Sequence, residues 1–203
     1  MIFDSTPCEL GEGALWHPGR KALFWFDILH KRLHMKGDHG LTVWDMPELT
    51  SAAGILSDEE LLLASESALW RFDIATGKRT HRVALDADGW PKSEPEVYLD
   101  LTAQGLYPDG AVVAVDGTFW NAQWGAGRVA AYAPDGTFLR AVEFEGSAQT
   151  SCPAFGGEEL TTLFCTSALE GMDAATRAAN PNAGNTFSAL GIAQGLPEPV
   201  VIL

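Results

Sequence analysis

Three acidic residues stand in glycine-containing phrases where their carboxylates could do chemistry. Glu12 lies between Gly11 and Gly13, while Asp109 and Asp135 each occupy a Pro-Asp-Gly phrase. Carboxylate oxygens are hard ligands for Ca²⁺, Mg²⁺, Mn²⁺ or Zn²⁺, and a carboxylate beside a water molecule can serve as a general base. Spacing alone favours a turn residue at each position, and for Asp135 we predict a hairpin turn.

Nucleophilic and nucleotide chemistry lack the motifs that they need. The sequence has no glycine-rich phosphate loop, no serine nucleophile elbow and no dinucleotide-binding fingerprint. The cysteines are an odd number without metal-type spacing, which predicts free, mostly buried thiols in a reducing compartment: Cys8, Cys152 and Cys165. The histidines fall in turns or charged hairpins and are predicted to lie at the surface: His17, His30, His34, His39 and His81.

Several polar and aromatic side chains leave two interpretations open. Asn121 and Gln123 lie on an apolar stretch and either reach a central channel or are hydrogen-bonded within a sheet. Cys152 either faces a channel or is a buried structural thiol. Three tryptophans either stack on a sugar or fill the core: Trp16, Trp120 and Trp124. In each case the structural interpretation is the commoner one and is favoured.

Composition and charge exclude whole classes of partner. The 203 residues carry a formal net charge of −14, with acidic groups spread along the chain, and this field repels phosphate backbones and anionic lipid surfaces. Nucleic acid and membranes are therefore not expected as partners. The first residues contain no signal-peptide pattern and no stretch is long enough to span a membrane, which predicts a cytoplasmic protein. A hydrophobic content of 46% predicts one folded domain over residues 1–203.

The elements that must position these groups are short β-strands closed by Gly, Pro, Asp or Asn. A small-residue strand, a turn and a second strand recur four times, and the second strands centre on Phe24, Leu62, Phe119 and Phe164, which are 38, 57 and 45 residues apart. A period of roughly 40 to 50 residues predicts the four-stranded blades of a β-propeller, with a β-sandwich as the alternative. One short helix is predicted over residues 172–179.

Several phrases along the chain carry a family resemblance. They include residues 10–18 (Leu-Gly-Glu-Gly-Ala-Leu-Trp-His-Pro), 51–54 (Ser-Ala-Ala-Gly), 106–110 (Leu-Tyr-Pro-Asp-Gly), 120–129, 150–157 (Thr-Ser-Cys-Pro-Ala-Phe-Gly-Gly) and 163–168. In this order they resemble the gluconolactonase/regucalcin family, also called the senescence marker protein family. The resemblance implies an all-β fold, the six-bladed β-propeller of sugar-lactone hydrolases, here with about four blades' worth of sequence.

The resemblance is interrupted after residue 84. The family carries an Asn-Asp-Gly phrase and a Pro-Asn-Gly phrase on two further inner strands, whereas this chain has no Asn-Asp and its Pro181-Asn182 stands in another context. About two blades are therefore predicted to be missing, with the join near residues 84–86 and an outer strand resuming at residues 94–100. The remaining blades are expected to form a compact ring, an open arc or an assembly completed by self-association through open blade edges.

The resemblance also implies one divalent metal ion at one end of the central channel. Glu12 and Asp109 match the two carboxylate ligands of the family, while its Asn ligand falls in the missing part. Ca²⁺ or Zn²⁺ is the expected ion, with Mn²⁺ and Mg²⁺ as alternatives. The implied reaction is hydrolysis of a sugar lactone such as gluconolactone, with Asp109 as the general base. The alternative function is a non-catalytic propeller that binds calcium or retains no function.

Overall fold

Four antiparallel sheets of four strands each make up the computed structural model, which describes residues 1–66, 69–83 and 98–201, with the backbone alone for residues 79–83. The strands in chain order are β1 (Ile2–Asp4), β2 (Gly11–His17), β3 (Ala22–Asp27), β4 (Arg32–Gly37), β5 (Gly40–Asp45), β6 (Thr50–Ile55), β7 (Glu60–Ser65), β8 (Leu69–Asp73), β9 (Arg79–Val83), β10 (Tyr107–Val113), β11 (Phe119–Trp124), β12 (Arg128–Tyr132), β13 (Phe138–Glu143), β14 (Thr150–Gly156), β15 (Thr162–Ser167) and β16 (Thr186–Ala189). No helix in the described ranges is long and apolar enough to cross a membrane.

The sheets are the blades that the sequence period predicts. Blade 1 contains β2 to β5, blade 2 contains β6 to β9, blade 3 contains β10 to β13, and blade 4 contains β14 to β16 together with β1. Four separate sheets exclude the sandwich alternative, which would have two. The predicted helix is also confirmed: α1 (Ala174–Ala179) follows β15, and the Asp173 side chain caps its first turn by accepting from the Thr176 backbone N–H at 2.8 Å.

The position of blade 1 between two neighbours explains its most apolar strand. Every residue of β3 is buried. Leu23 and Trp25 join the core shared with blade 4, while Phe24 and Phe26 join the core shared with blade 2. Successive side chains of a strand point to opposite faces, so a continuous apolar run marks a blade that is packed on both sides.

The N-terminal strand completes the last blade. β1 pairs with β16 through Ile2 opposite Phe187 and Asp4 opposite Thr186, so residues from both halves of the sequence share one sheet. The buried Asp4 carboxylate also forms an ion pair with the Lys36 ammonium of blade 1, at an N–O distance of 2.9 Å. β1 was not predicted, because three residues before a Pro-containing loop are too few to show the alternation of apolar and polar residues that marks a strand.

In the part of the chain that the structure describes, the blades form an open arc in the order 3, 4, 1, 2. β2 packs against β6 on one side and β14 on the other, and β14 also packs against β10. Core clusters join blades 1 and 2, blades 1 and 4, and blades 3 and 4, but none in the described part of the chain joins blade 2 to blade 3. The inner strands β6 and β10 at the two ends are accordingly more exposed than β2 and β14. Of the predicted arrangements, the open arc is the one observed.

Two histidines correct the prediction of a surface location. His17 and His34 are each 1% exposed. His17 ends β2 beneath the β6–β7 turn, where its Nε2 atom lies 3.1 Å from the Ser57 carbonyl oxygen. His34 lies on β4, where strand alternation points it inward onto Trp25 at 5.0 Å between ring centroids. His30 and His39 are exposed as predicted, while the His81 side chain and the predicted join at residues 84–86 lie outside the described residues.

Candidate functional site

Glu12 and Asp109 occupy equivalent places at the start of the innermost strands of blades 1 and 3. The register of β2 shifts between Glu12 and Leu15, and the register of β10 shifts between Pro108 and Ala111. Each shift is a β-bulge, where two residues of one strand face a single residue of its neighbour. A bulge re-aims the side chains beside it, and the same device recurs near the start of β6 and β14.

The glycines beside the two carboxylates are required by close packing of the inner strands. A methyl group at Gly13, which has a φ of +60°, would overlap the carbonyl oxygen of Ser51 in the next blade. A methyl group at Gly110 would lie 2.7 Å from the carbonyl oxygen of Ser151. The phrases around Glu12 and Asp109 are therefore built for close approach of neighbouring blades, which explains why they look like turns in the sequence.

Both carboxyl groups have raised pKa values, and the charge of Asp109 contributes to the rise at Glu12. Burial, and then the charge of Asp109, raise the pKa of Glu12 to about 7. Burial also raises the pKa of Asp109. Two carboxyl groups whose pKa values are both raised form a site of negative potential when they ionise. Glu12 thus lies within electrostatic range of Asp109, and their role as metal ligands stays a prediction.

The donor set fits a divalent cation with an incompletely filled coordination shell. Among the described residues neither carboxylate forms an ion pair, and no third His, Cys, Asp or Glu completes a metal-binding group with them. Two carboxylates provide hard oxygen donors and neutralise the charge of one divalent ion. Positions left open on such an ion are available to water and to a substrate carbonyl.

Cys152 lies in the bulge of β14 near these carboxylates. Burial, followed by the negative charge of Glu12, raises the pKa of its thiol to about 12. A thiol in this environment stays protonated at neutral pH and is a poor nucleophile. Cys152 is therefore a neutral group within range of the Glu12 charge, and no disulfide forms, since all three cysteines are free.

The two polar residues of β11 differ in how their hydrogen bonds are satisfied. The buried amide of Gln123 donates to the Tyr132 hydroxyl at 2.7 Å and accepts from the Arg128 Nε–H at 2.7 Å, which confirms a structural role. Asn121 donates through Nδ2 to the carbonyl oxygens of Asp109 at 3.0 Å and Gly110 at 3.3 Å. The sequence did not indicate this contact, because the bulge that creates it has no pattern of its own.

Other candidates have the structural roles that the sequence favoured. Trp16 stacks on Phe164 with ring centroids 5.7 Å apart, and Trp120 meets Phe155 edge-on at 6.0 Å, so both fill cores between blades. Asp135 accepts a hydrogen bond from the Thr137 backbone N–H at 3.0 Å and is a hairpin-turn residue, as predicted.

A cavity of about 700 Å³ lies elsewhere, between the β11–β12 and β13–β14 loops. Its lining includes Gly125, Glu143, Glu145, Ser147 and Asn180, and contains neither Glu12 nor Asp109. The titratable groups among its lining residues are the carboxylates of Glu143 and Glu145, and no histidine, lysine or cysteine lies among them. The convergent carboxylates, rather than this cavity, mark the candidate site.

The sequence matches the family described as the SMP-30/gluconolactonase/LRE-like region twice, over residues 10–96 and 77–169. A Rhizobium meliloti (strain 1021) protein named as a sugar lactone lactonase is 44% identical over 120 residues, covering 58% of this chain and 40% of that relative. L-arabinolactonase of Azospirillum brasilense is 27% identical over 274 positions, covering 93% of this chain and 90% of the relative. That alignment is 71 positions longer than this 203-residue chain, so the relative has segments without a counterpart here.

The fold is also that of a solved structure. The crystal structure of a calcium-binding protein, regucalcin, from Agrobacterium tumefaciens strain C58 matches with a TM-score of 0.91 at 28% sequence identity, covering 100% of this chain and 97% of that chain. The family match extends over well more than half of the chain. The chain therefore belongs to the SMP-30/gluconolactonase/LRE-like family.

Proposed function

We propose that this protein hydrolyses a sugar lactone to the corresponding aldonic acid at a single divalent metal ion held by Glu12 and Asp109. The observation that carries the proposal is that Glu12 is buried within range of the Asp109 charge: burial, and then that charge, raise the pKa of Glu12 to about 7. Relatives named as a sugar lactone lactonase and as an L-arabinolactonase support the reaction class.

The expected ion is Ca²⁺ or Zn²⁺, with Mn²⁺ and Mg²⁺ as alternatives. Oxygen-only donors and a flexible shell suit Ca²⁺, and the Agrobacterium tumefaciens regucalcin is named as a calcium-binding protein. When bound, the ion would supply a Lewis acid that polarises the lactone carbonyl and lowers the pKa of a coordinated water.

The chain's own residues would orient the reactants and move the proton. Asp109, the more exposed of the two carboxylates, would take a proton from the attacking water while that water adds to the lactone carbonyl carbon. The ring C–O bond then breaks, and the proton passes to the departing ring oxygen, which gives a hydroxy acid. Glu12, more buried beside Gly13, would remain ionised as the fixed anchor for the ion.

A second candidate function is metal binding without turnover. It is favoured by the missing third ligand among the described residues and by the exposure of β10, which leaves Asp109 on a strand with one neighbouring blade. An open site admits bulk water and weakens the electrostatic stabilisation of an oxyanion. In this case calcium would bind but lactones would not be hydrolysed faster than in buffer.

The deciding experiment is gluconolactone hydrolysis by purified protein, followed by pH change, with chelator and with added Ca²⁺, Mn²⁺ or Zn²⁺. We expect metal-dependent turnover that falls at least about 100-fold in Glu12→Gln and in Asp109→Asn. The matched control is Asp135→Asn, which makes the same change in the other Pro-Asp-Gly phrase at an exposed turn. Turnover that survives both site substitutions would remove these residues from the mechanism, and metal binding without turnover would favour the second candidate.

A further inference from the structure

Asn121 is a buried amide that the reaction scheme does not use. It lies on β11 with 1% of its surface exposed, opposite Ala111 and next to the bulge that carries Asp109. Its Nδ2 atom donates to the carbonyl oxygens of both bulge residues, Asp109 at 3.0 Å and Gly110 at 3.3 Å. One side chain thus hydrogen-bonds to both carbonyl groups that the bulge takes out of the regular hydrogen-bond pattern between the strands.

The other end of the same amide has no partner. Asn121 Oδ1 is buried and accepts no hydrogen bond from any described residue. An unsatisfied buried carbonyl oxygen costs free energy that an apolar side chain of similar shape would not. Rotating the amide would bring Oδ1 against the two carbonyl oxygens, so the observed orientation is the only favourable one. The amide therefore acts through donation to the bulge.

In blade 4 a different polar side chain hydrogen-bonds to the backbone of the inner-strand bulge. In the bulge of β14 the hydroxyl of Thr166, on the neighbouring strand, accepts from the Cys152 N–H at 3.1 Å and lies 3.2 Å from the Cys152 carbonyl oxygen, to which it donates. The inner-strand bulges of blades 3 and 4 are thus both held by a polar side chain from the adjacent strand. Blade 3 differs in that the held residue is a candidate metal ligand.

We propose that Asn121 is a positioning residue of the metal site: its amide fixes the backbone of the β10 bulge and thereby the direction of the Asp109 carboxylate toward Glu12. The proposal rests on the proposed function, because it presupposes that the two carboxylates bind a cation. Fixing the bulge is especially important here, since β10 is largely exposed and, among the described strands, packs closely on only one neighbouring blade, through β14. Residues that orient a metal ligand commonly change metal affinity by about 10- to 100-fold.

The test is calorimetric titration of the metal-free protein with CaCl₂ and with MnCl₂. Asn121→Leu removes both donors at similar volume, and we expect its metal Kd to rise about tenfold while its melting temperature without metal stays close to that of the wild type. Asn121→Thr supplies one hydroxyl donor, as Thr166 does in blade 4, and should give an intermediate Kd. If Asn121→Leu does not fold, the metal Kd of Asn121→Thr still tests the proposal.

The matched control is Gln123→Met, which removes a buried amide from the same strand without touching the bulge, and its metal Kd should stay within about twofold of the wild type. Equal losses of affinity in Asn121→Leu and Gln123→Met, or an unchanged Kd in a folded Asn121 variant, would overturn the positioning role while the metal site stands. A wild-type protein that binds neither ion would overturn both the metal site and this inference.

Discussion

At the residue scale, the raised pKa of Glu12 means that this candidate site residue lowers the folding stability of the protein when it ionises. A carboxyl whose pKa is higher in the folded than in the unfolded state holds its proton longer in the folded state, so folding stability falls as pH rises between the two values. For Glu12 that window runs from 4.5 to about 7. Ionised Glu12 beside Asp109 therefore lowers the folding stability, and a bound cation would offset this loss.

We predict that ionisation of Glu12 lowers the stability of the metal-free wild type between pH 5 and pH 7.5, so that the stability of Glu12→Gln relative to the wild type rises over this range because its amide cannot ionise. Saturating CaCl₂ should raise the melting temperature of the wild type at pH 7.5 but leave that of Glu12→Gln nearly unchanged. Differential scanning calorimetry at both pH values measures these effects. An identical pH slope in the wild type and in Glu12→Gln would contradict the assignment of the raised pKa to this residue.

A second residue-scale prediction concerns His34. Burial lowers the pKa of its imidazole, and neither ring nitrogen has a hydrogen-bond partner among the described residues. A base whose pKa is lowered by folding destabilises the folded state as pH falls below the unfolded value of 6.5. His34→Leu should therefore raise stability by about 1 kcal/mol at pH 7 and flatten the loss of stability toward pH 5.5.

Urea unfolding at pH 7.5 and pH 5.5 tests this prediction. The control is His39→Gln, on the exposed β4–β5 hairpin, which should leave the pH slope of the wild type intact. If His34→Leu instead destabilises the protein at both pH values, the stacking of His34 on Trp25 outweighs the cost of its buried nitrogens.

At the element scale, the strands that pack on both faces were predictable and the ones at the margins were not. β3 is predictable from its apolar run between turn residues, because burial on two faces demands an apolar side chain at nearly every position. β7 has a similar run in the sequence, although only Leu61 and Leu63 of it are buried. β1 has three residues and gains its stability from pairing with β16, far away in sequence. Likewise the bulges that aim Glu12 and Asp109 depend on register, which a single strand's sequence does not encode.

The ion pair between Asp4 and Lys36 ties the closing strand β1 to blade 1. Burial alone would raise the pKa of Asp4, but hydrogen bonds from Lys36 and Thr6 outweigh it and lower that pKa. Removing the ammonium leaves a carboxylate that is only 7% exposed without its charge partner. We predict that Lys36→Met lowers stability by about 2 kcal/mol at pH 7, and that Asp4→Asn in the same chain recovers part of this loss.

A double-mutant cycle by chemical denaturation measures that coupling. The control pair is Lys21 and Glu158, whose side chains are 63% and 80% exposed at an N–O distance of 3.7 Å. Lys21→Met should change stability by less than about 0.5 kcal/mol, as expected for a solvated surface pair. Equal effects at the two pairs would mean that the Asp4 contact does not stabilise the closing strand.

At the scale of the whole molecule, the repeat period predicted four blades but not their arrangement. Apart from β1, the residues of each blade lie close together in the sequence, so the blades can be recognised from it. The packing of one blade against the next depends on how closely their inner strands approach, which residues such as Gly13 and Gly110 permit. Such close approaches are not visible in the repeat period, which is why the arrangement of the blades could not be predicted from it. Self-association through the exposed ends of this arc stays a prediction, which sedimentation velocity would test.

The C-terminal segment is what links the two ends of the arc. Gly195 donates from its backbone N–H to the Leu160 carbonyl in blade 4 at 2.9 Å and forms a bridge with Ala114 after β10. Six residues later, Val201 donates to the carbonyl of Ile55 in blade 2 at 2.8 Å. The segment thus crosses the ends of the inner strands on the side opposite Glu12 and Asp109, and spans the distance between blades 3 and 2.

We predict that ending the chain at Leu190 lowers stability by about 3 kcal/mol, since several backbone hydrogen bonds to three blades are lost. Ending it at Pro199 removes the contact with Ile55 but keeps those with blades 3 and 4. This shorter deletion should speed hydrogen exchange in β6 to β8 and leave β10 to β13 unchanged. Equal protection of blade 2 in all three proteins would show that packing against blade 1 alone holds that end of the arc, because no other described segment links it to blade 3.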